Sequence, residues 1–281
     1  MSLLIHSMAE FWEIIETCLE KAGAKHLVEI GAEFGGTSNL LAQHAARRGG
    51  TLTCIDPCPQ PDFLAWCAGA PDLVKHVERP SLEALTELAD VDAWLIDGDH
   101  NWYTVHHELK AIHAACRRDG RPLLVFLHDV GWPTAHRDSY YAPDRIPAEY
   151  RQPYDFDAGV TLESETLVRG RGFRGMGHWA WSTKLGGPCN GVFTAIKDFL
   201  FANSAAGGKD LGWARIPAVF GLGVLFDSDA SWSADVAQVL LPFHENPLLA
   251  RLELNRLRNY LAVIEWQDRT AELEANKLVS G

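Results

Sequence analysis

A chain of 281 residues, 47% hydrophobic and 22% charged, has a globular balance and enough length to bury a core without disulfide or metal staples. Its net charge of −12 argues against a general nucleic-acid binder, which needs a basic face. The six cysteines (18, 54, 58, 67, 116 and 189) include no CxxC pair, a usage that fits a reducing, cytoplasmic compartment. Residues 1–6 lack a basic leader and a cleavage site. No apolar run reaches the ~20 residues that span a bilayer, so no membrane is expected.

Phe11, Ile14, Ile15, Cys18 and Leu19 recur at helical spacing before Gly23, which predicts an opening helix over 8–22. His26 to Ile30 is a short apolar strand ending in Gly31-Ala32-Glu33-Phe34-Gly35-Gly36-Thr37, after which Leu40, Leu41 and Ala45 start a second helical stripe. Thr51 to Ile55 and Val74 to Val77 are the next strands, and Ser81 to Leu88 reads as helix. Ala93 to Ile96 is a fully apolar strand closing on Asp97-Gly98-Asp99-His100; a helix through Val105, Leu109, Ile112 and Cys116 follows. Leu123 to Leu127 is a fifth strand, ending at His128-Asp129. Strands alternating with helices predict an α/β fold, a Rossmann-like doubly wound sheet that is mostly parallel.

The alternation stops between Gly131 and Pro188, a stretch rich in aromatic residues, proline and glycine. It reads as a lid or substrate-binding insertion (131–188) after the fifth strand, since so long a structureless loop is unusual without a function. Its aromatic residues serve equally as the wall of an acceptor pocket or as the insertion's own core, and Arg169, Arg171 and Arg174 read as a solvated basic run, with reception of an anionic substrate as the alternative. Ala214–Phe220 and Val224–Phe226 flank Gly221-Leu222-Gly223 and predict a terminal antiparallel hairpin. Residues 1–130 and 189–243 then form the cofactor-binding domain. The last part, 244–281, is a helix with Leu254, Leu257, Leu261 and Ile264 in a 3-4-3 pattern that faces its own domain or a second subunit, the basis for expecting a homo-oligomer.

Ligands of an open α/β sheet bind beyond the carboxyl ends of its strands, and three ends here carry an acid: Asp56, Asp97 and Asp129. Gly31-x-x-x-Gly35-Gly36 is not GxGxxG, because Glu33 stands at the middle position, and Glu29 precedes the turn. Carboxylates there repel a pyrophosphate but accept a bond from an ammonium. Asp56 stands where a carboxylate chelates ribose hydroxyls. The pairing favours S-adenosylmethionine (SAM), cationic and phosphate-free, over NAD.

Val28-Glu29-Ile30-Gly31-Ala32-Glu33-Phe34-Gly35-Gly36-Thr37-Ser38, Ile55-Asp56 and Leu95-Ile96-Asp97-Gly98-Asp99-His100 together resemble the class I SAM-dependent methyltransferases. Within that class they are similar to the metal-dependent O-methyltransferases of natural-product sugars, the macrocin O-methyltransferase type. The resemblance covers roughly residues 25–130. It implies that Glu29, Gly31, Gly35, Thr37, Asp56 and Asp97 hold SAM, with Ser81 near the adenine. It also implies a divalent metal, magnesium or manganese, at Asp97, His128 and Asp129, although His128 stands where the family has a carboxylate. Imidazole suits manganese, iron or zinc better than magnesium. The expected reaction is O-methylation of a small-molecule hydroxyl, with His100 as general base and Asp99 as its rival. An NAD-dependent oxidoreductase and a non-catalytic SAM-binding protein are the alternatives.

Overall fold

Residues 6–280 are described by the computed structural model, with side chains described to residue 274; the expectation about a leader therefore lies largely outside it, at residues 1–5. Each apolar run of the first half becomes an element near its predicted place. A 3-10 turn at Met8–Phe11 leads into α1 (Trp12–Ala22), then β1 (His26–Ile30), α2 (Gly36–Arg48), β2 (Thr51–Ile55), α3 (Pro61–Ala68) and β3 (Val74–Val77). α4 is shorter than predicted, Ser81–Ala84, and continues only as a 3-10 turn. β4 (Ala93–Ile96), α5 (Trp102–Asp119) and β5 (Leu124–Leu127) follow.

The first five strands are parallel, with Ile30 level with Ile55 and Ile96, and Ile96 level with Leu127. This register brings Gly31, Asp56, Asp97 and His128 to one edge of the sheet. Alternating residues serve two cores. Leu27, Leu52, Leu95 and Phe126 pack under α1 and α2, while Val28, Ile55, Trp94 and Val125 pack under α5 and the later helix α6 (Val192–Ala205). Both faces being covered explains why the central strands β4 and β5 read as continuous apolar runs.

Between β5 and α6 lie five short strands: β6 (Ser139–Tyr140), β7 (Tyr154–Asp155), β8 (Ala158–Gly159), β9 (Val168–Arg169) and β10 (Ala180–Ser182). They form a three-stranded sheet, β6-β10-β7, and a two-stranded one, β8-β9. The hairpin then closes the main sheet as β11 (Leu211–Ile216) and β12 (Leu222–Asp227), with strand order β11-β12-β5-β4-β1-β2-β3. Its bounds differ from the prediction. Pro217 has no N–H to give the ladder, so β11 stops before it, and Leu222 and Gly223 belong to β12 rather than to the turn. α7 (Ser233–Leu240) and α8 (Pro247–Ser280) complete the chain. Along α8, Leu257 is buried, Leu261 and Ile264 are half-buried and Leu254 is exposed, so the leucine stripe lies mainly against its own domain. No helix among the described residues is long and apolar enough to cross a membrane.

Candidate active site

The turn after β1 is held from two sides. Gly31 has φ +88°, and a Cβ there would fall 2.2 Å from the carbonyl oxygen of Asp97, so the ends of β1 and β4 touch only because this residue is glycine. Asp56 accepts backbone N–H bonds from Ala32 and Glu33 at Oδ2, both 3.0 Å, and from Cys58 at Oδ1, 2.8 Å. Its carboxylate thus clamps the turn. Gly35, also left-handed, leads into α2, whose first turn buries Thr37.

Glu29 is buried and faces the sheet–α2 core: Oε2 accepts from the Ser38 hydroxyl and from the Cys54 thiol at 3.2 Å. Burial pushes its carboxyl up to about 7. Ser81, buried at the start of α4, donates to Oε1 of Glu108 on α5 at 2.5 Å. Glu108 is fully buried, its Oε2 has no partner, and burial pushes it up to about 8. Nothing in the sequence singles out Glu108, because its partner lies 27 positions away.

The acids after β4 and β5 meet two imidazoles. Nδ1 of His128 lies 3.1 Å from Asp97 Oδ1 and 3.2 Å from Asp129 Oδ2, while its Nε2 is 2.9 Å from the Val219 carbonyl. A carbonyl only accepts, so Nε2 carries a proton. In a neutral ring Nδ1 would then turn its lone pair on two carboxylates, an arrangement that needs a second proton or a cation between them. His100 Nε2 lies 3.1 Å from Asp129 Oδ2 and 3.5 Å from Asp97 Oδ1, closed to solvent and in line with neither for a hydrogen bond. Asp97, His100 and Asp129 each present one ligand atom within 4.8 Å of the others. The sequence-predicted trio Asp97, His128 and Asp129 is therefore brought together, with His100 added to it.

The electrostatics follow from this proximity. Burial disfavours charge on His100, but Asp129 and Asp97 outweigh it and raise the ring to about 9. Burial is likewise overcome at His128, which Asp97 and Asp129 hold well above its ordinary value. The two histidines in turn hold both aspartates down against their own burial. Asp99 is different: burial raises it, Oδ2 accepts a 3.3 Å bond from Thr104, and Oδ1 is buried without a partner. Two carboxylate oxygens with one imidazole nitrogen beside them are a donor set that fits a divalent cation accepting nitrogen, manganese, iron or zinc, better than magnesium.

The insertion is tied to this edge. Ser139 donates its N–H to the His100 carbonyl at 3.0 Å, and the Tyr141 ring lies 6.3 Å from the His100 ring. Buried Asp138 accepts at Oδ1 from the N–H groups of Trp102 and Gly191, the starts of α5 and α6. Among the aromatic residues, Tyr140 and Trp181 are buried and Tyr141 and Tyr154 are exposed, while half-buried Phe173 contacts Trp132, Trp179, Trp181, Phe220 and Tyr260. The basic run is not a solvated loop throughout. Arg174 makes a two-pronged bond to Asp268 of α8, at 2.6 and 3.0 Å, and Arg171 pairs with Glu272, while Arg169 stays exposed beside Asp157. Such two-pronged pairing is favourable where both groups are partly buried, as here.

Residues 28–130 match the family model described as "Methyltransferase domain". No curated protein matches the chain in sequence. Among solved structures, the chain is similar to an O-methyltransferase from Bacillus cereus in complex with S-adenosylhomocysteine (SAH), at 12% identity and TM-score 0.47 over 79% of this chain and 81% of that one. A SAH-bound methyltransferase from Podospora anserina is 15% identical, with TM-score 0.45 over 76% and 75% of the two chains. The O-methyltransferase TomG from Streptomyces achromogenes, involved in tomaymycin synthesis and solved with SAM, is 15% identical, with TM-score 0.45 over 79% and 81%. The matched span, Val28 to Val130, holds the glycine turn and every strand-end acid and histidine described above.

Proposed function

We propose that the protein transfers the methyl group of SAM to a hydroxyl of a small-molecule acceptor, a sugar or another secondary metabolite, as in the macrocin-type O-methyltransferases it resembles. The observation that carries this reading is the meeting of His100, His128, Asp97 and Asp129 at the strand ends of the methyltransferase segment. SAM, when bound, supplies an electrophilic methyl on a sulfonium. Glu29, Gly31, Gly35, Thr37, Asp56, Ser81 and Asp97 form its cradle; Asp56 has already spent three acceptor positions on the turn, so its role includes holding that turn in shape.

Transfer is an in-line displacement, and alignment alone contributes roughly 7–11 kcal/mol. With a cation in place of its proton, His100 would be neutral and could take the acceptor's proton at Nε2, the atom left without a hydrogen bond, for a gain of about 10²–10⁴-fold. Asp97, His128 and Asp129 would hold a divalent cation, which would supply Lewis acidity at the site. Manganese suits this set better than magnesium. Cytoplasmic residence and a homo-oligomer formed through α8, whose Leu252, Val263 and Trp266 stay exposed, belong to the same reading; a monomer by light scattering removes the oligomer from it.

The test is calorimetric titration of SAH into metal-stripped protein, repeated with manganese and with magnesium. Saturable micromolar binding that strengthens with manganese is the expected result. No binding to folded protein in any condition refutes the proposal and turns attention to nicotinamide cofactors.

A further inference from the structure

The loop between β11 and β12 is braced in a way the chemistry described so far does not require. Val219 and Phe220 are consecutive residues with φ of +45° and +63°, a region that non-glycine residues rarely enter and a β-branched one least of all. What holds them there is Glu253 on α8. Its Oε2 accepts the N–H of Val219 and its Oε1 the N–H of Phe220, both at 2.9 Å, so one carboxylate sits in the concavity formed by two successive amides. Arg256 fixes that carboxylate from behind, bonding both oxygens at 2.7 Å, and its guanidinium lies 4.9 Å from the centre of the Phe220 ring.

The strained segment faces the cluster at the end of β5. The Val219 carbonyl accepts from His128 Nε2, and the Phe220 carbonyl accepts from the N–H of Gly131, two residues beyond Asp129. Backbone strain kept in place by its surroundings is a mark of a functional position.

We propose that Glu253 is a positioning residue of the candidate active site. By holding Val219 and Phe220 left-handed, it aims the Val219 carbonyl at His128 Nε2 and so fixes Nδ1 as the nitrogen presented to Asp97 and Asp129. The proposal rests on the reading of His128 as a holder of the cation. It makes α8 part of the site's assembly although, among the described residues, no hydrogen bond or ion pair joins α8 to the cluster directly. Partners of this kind fix ring orientation, and losing one weakens metal affinity by about 10–100-fold.

The test compares wild type with Glu253→Gln, which puts an amide N–H₂ against one of the two backbone donors. Two quantities are read: manganese affinity, from free-ion electron paramagnetic resonance, and protection of the His128 Nε2 proton in metal-free protein, from imidazole NMR assigned by its loss in His128→Gln. The expected result is manganese binding at least tenfold weaker and loss of the protected proton. Arg174→Ala, which loosens the same helix elsewhere, retains both. Should Glu253→Gln fail to fold, Glu253→Asp, shorter by a methylene with the charge kept, gives the same losses in smaller measure. A variant that is less stable yet keeps both the affinity and the protected proton overturns the proposal. If wild type binds no manganese but the His128 proton depends on Glu253, the positioning role stands and the cation reading falls.

Discussion

Replacing Glu108 by glutamine tests how much the buried carboxyl beneath Ser81 weighs on the fold. The residue is fully buried, accepts one hydrogen bond from Ser81 and leaves Oε2 without a partner. Burial, with the charge of Asp99 adding to it, raises the carboxyl from 4.5 to about 8. Because the folded state then binds the proton more tightly than the unfolded chain, the stabilisation is complete below about pH 4.5 and is lost as pH rises through about 8. At 1.36 kcal/mol per pH unit the full displacement corresponds to roughly 5 kcal/mol, an upper bound that water reaching the charged form would lower to about 2–4 kcal/mol. Glutamine has nearly the shape of the protonated acid and cannot ionise. Urea unfolding of both proteins at pH 5, 7 and 9 should show the wild type close to Glu108→Gln at pH 5 and falling below it by about 2–4 kcal/mol at pH 9. A difference that does not change with pH would refute the reasoning, because it would mean that the carboxyl titrates alike in the folded and unfolded chains.

Two further outcomes follow from named contacts. His100→Ala should lower turnover by about 10²–10⁴-fold while SAH affinity, measured by calorimetry, stays within twofold; unchanged turnover removes His100 from the mechanism. Arg174→Ala leaves Asp268 half-buried and alone, so α8 should detach more readily, with the protein losing roughly 1.5–3 kcal/mol and limited proteolysis of the C-terminal helix quickening; equal cleavage rates would show that the pair does not hold the helix.

The sheet was legible because its central strands, β4 and β5, are covered on both faces and apolar throughout, and each of the first five is followed by a glycine or a polar residue. The hairpin's turn was not. Gly221 and Gly223 look alike in sequence, yet Gly223 is a strand residue whose missing Cβ makes room for the Trp213 ring, 2.4 Å from where that atom would stand. The turn itself uses Val219 and Phe220, whose left-handed conformation no residue preference announces. α3, α6 and α7 were not anticipated either, and the role of Arg174 depends on Asp268, 94 positions later. At the site, Asp97, His100, His128 and Asp129 were visible because strand ends in such a sheet converge. Glu108 and Glu253 were not, since each acts on a partner that only tertiary packing brings near.

The cluster also makes a quantitative statement about what it holds. Two adjacent carboxylates, half-buried Asp97 and buried Asp129, call for positive charge beside them, since a charge withdrawn from water without a partner is destabilising. Imidazolium at His100 and His128 supplies it, and so does one divalent cation flanked by neutral imidazoles. At pH 7 His100, raised to about 9, carries a proton, and Asp97 and Asp129 push His128 in the same direction, so a cation that takes the place competes with protons for these rings. The heat of manganese binding should therefore shift with the ionisation enthalpy of the buffer, by an amount that corresponds to between one and two protons released per ion. Affinity should rise with pH up to about 9, where His100 gives up its proton without assistance. A heat that is the same in phosphate-free buffers of low and high ionisation enthalpy would mean that the imidazoles are already neutral, and the charge balance assigned to this site would be wrong.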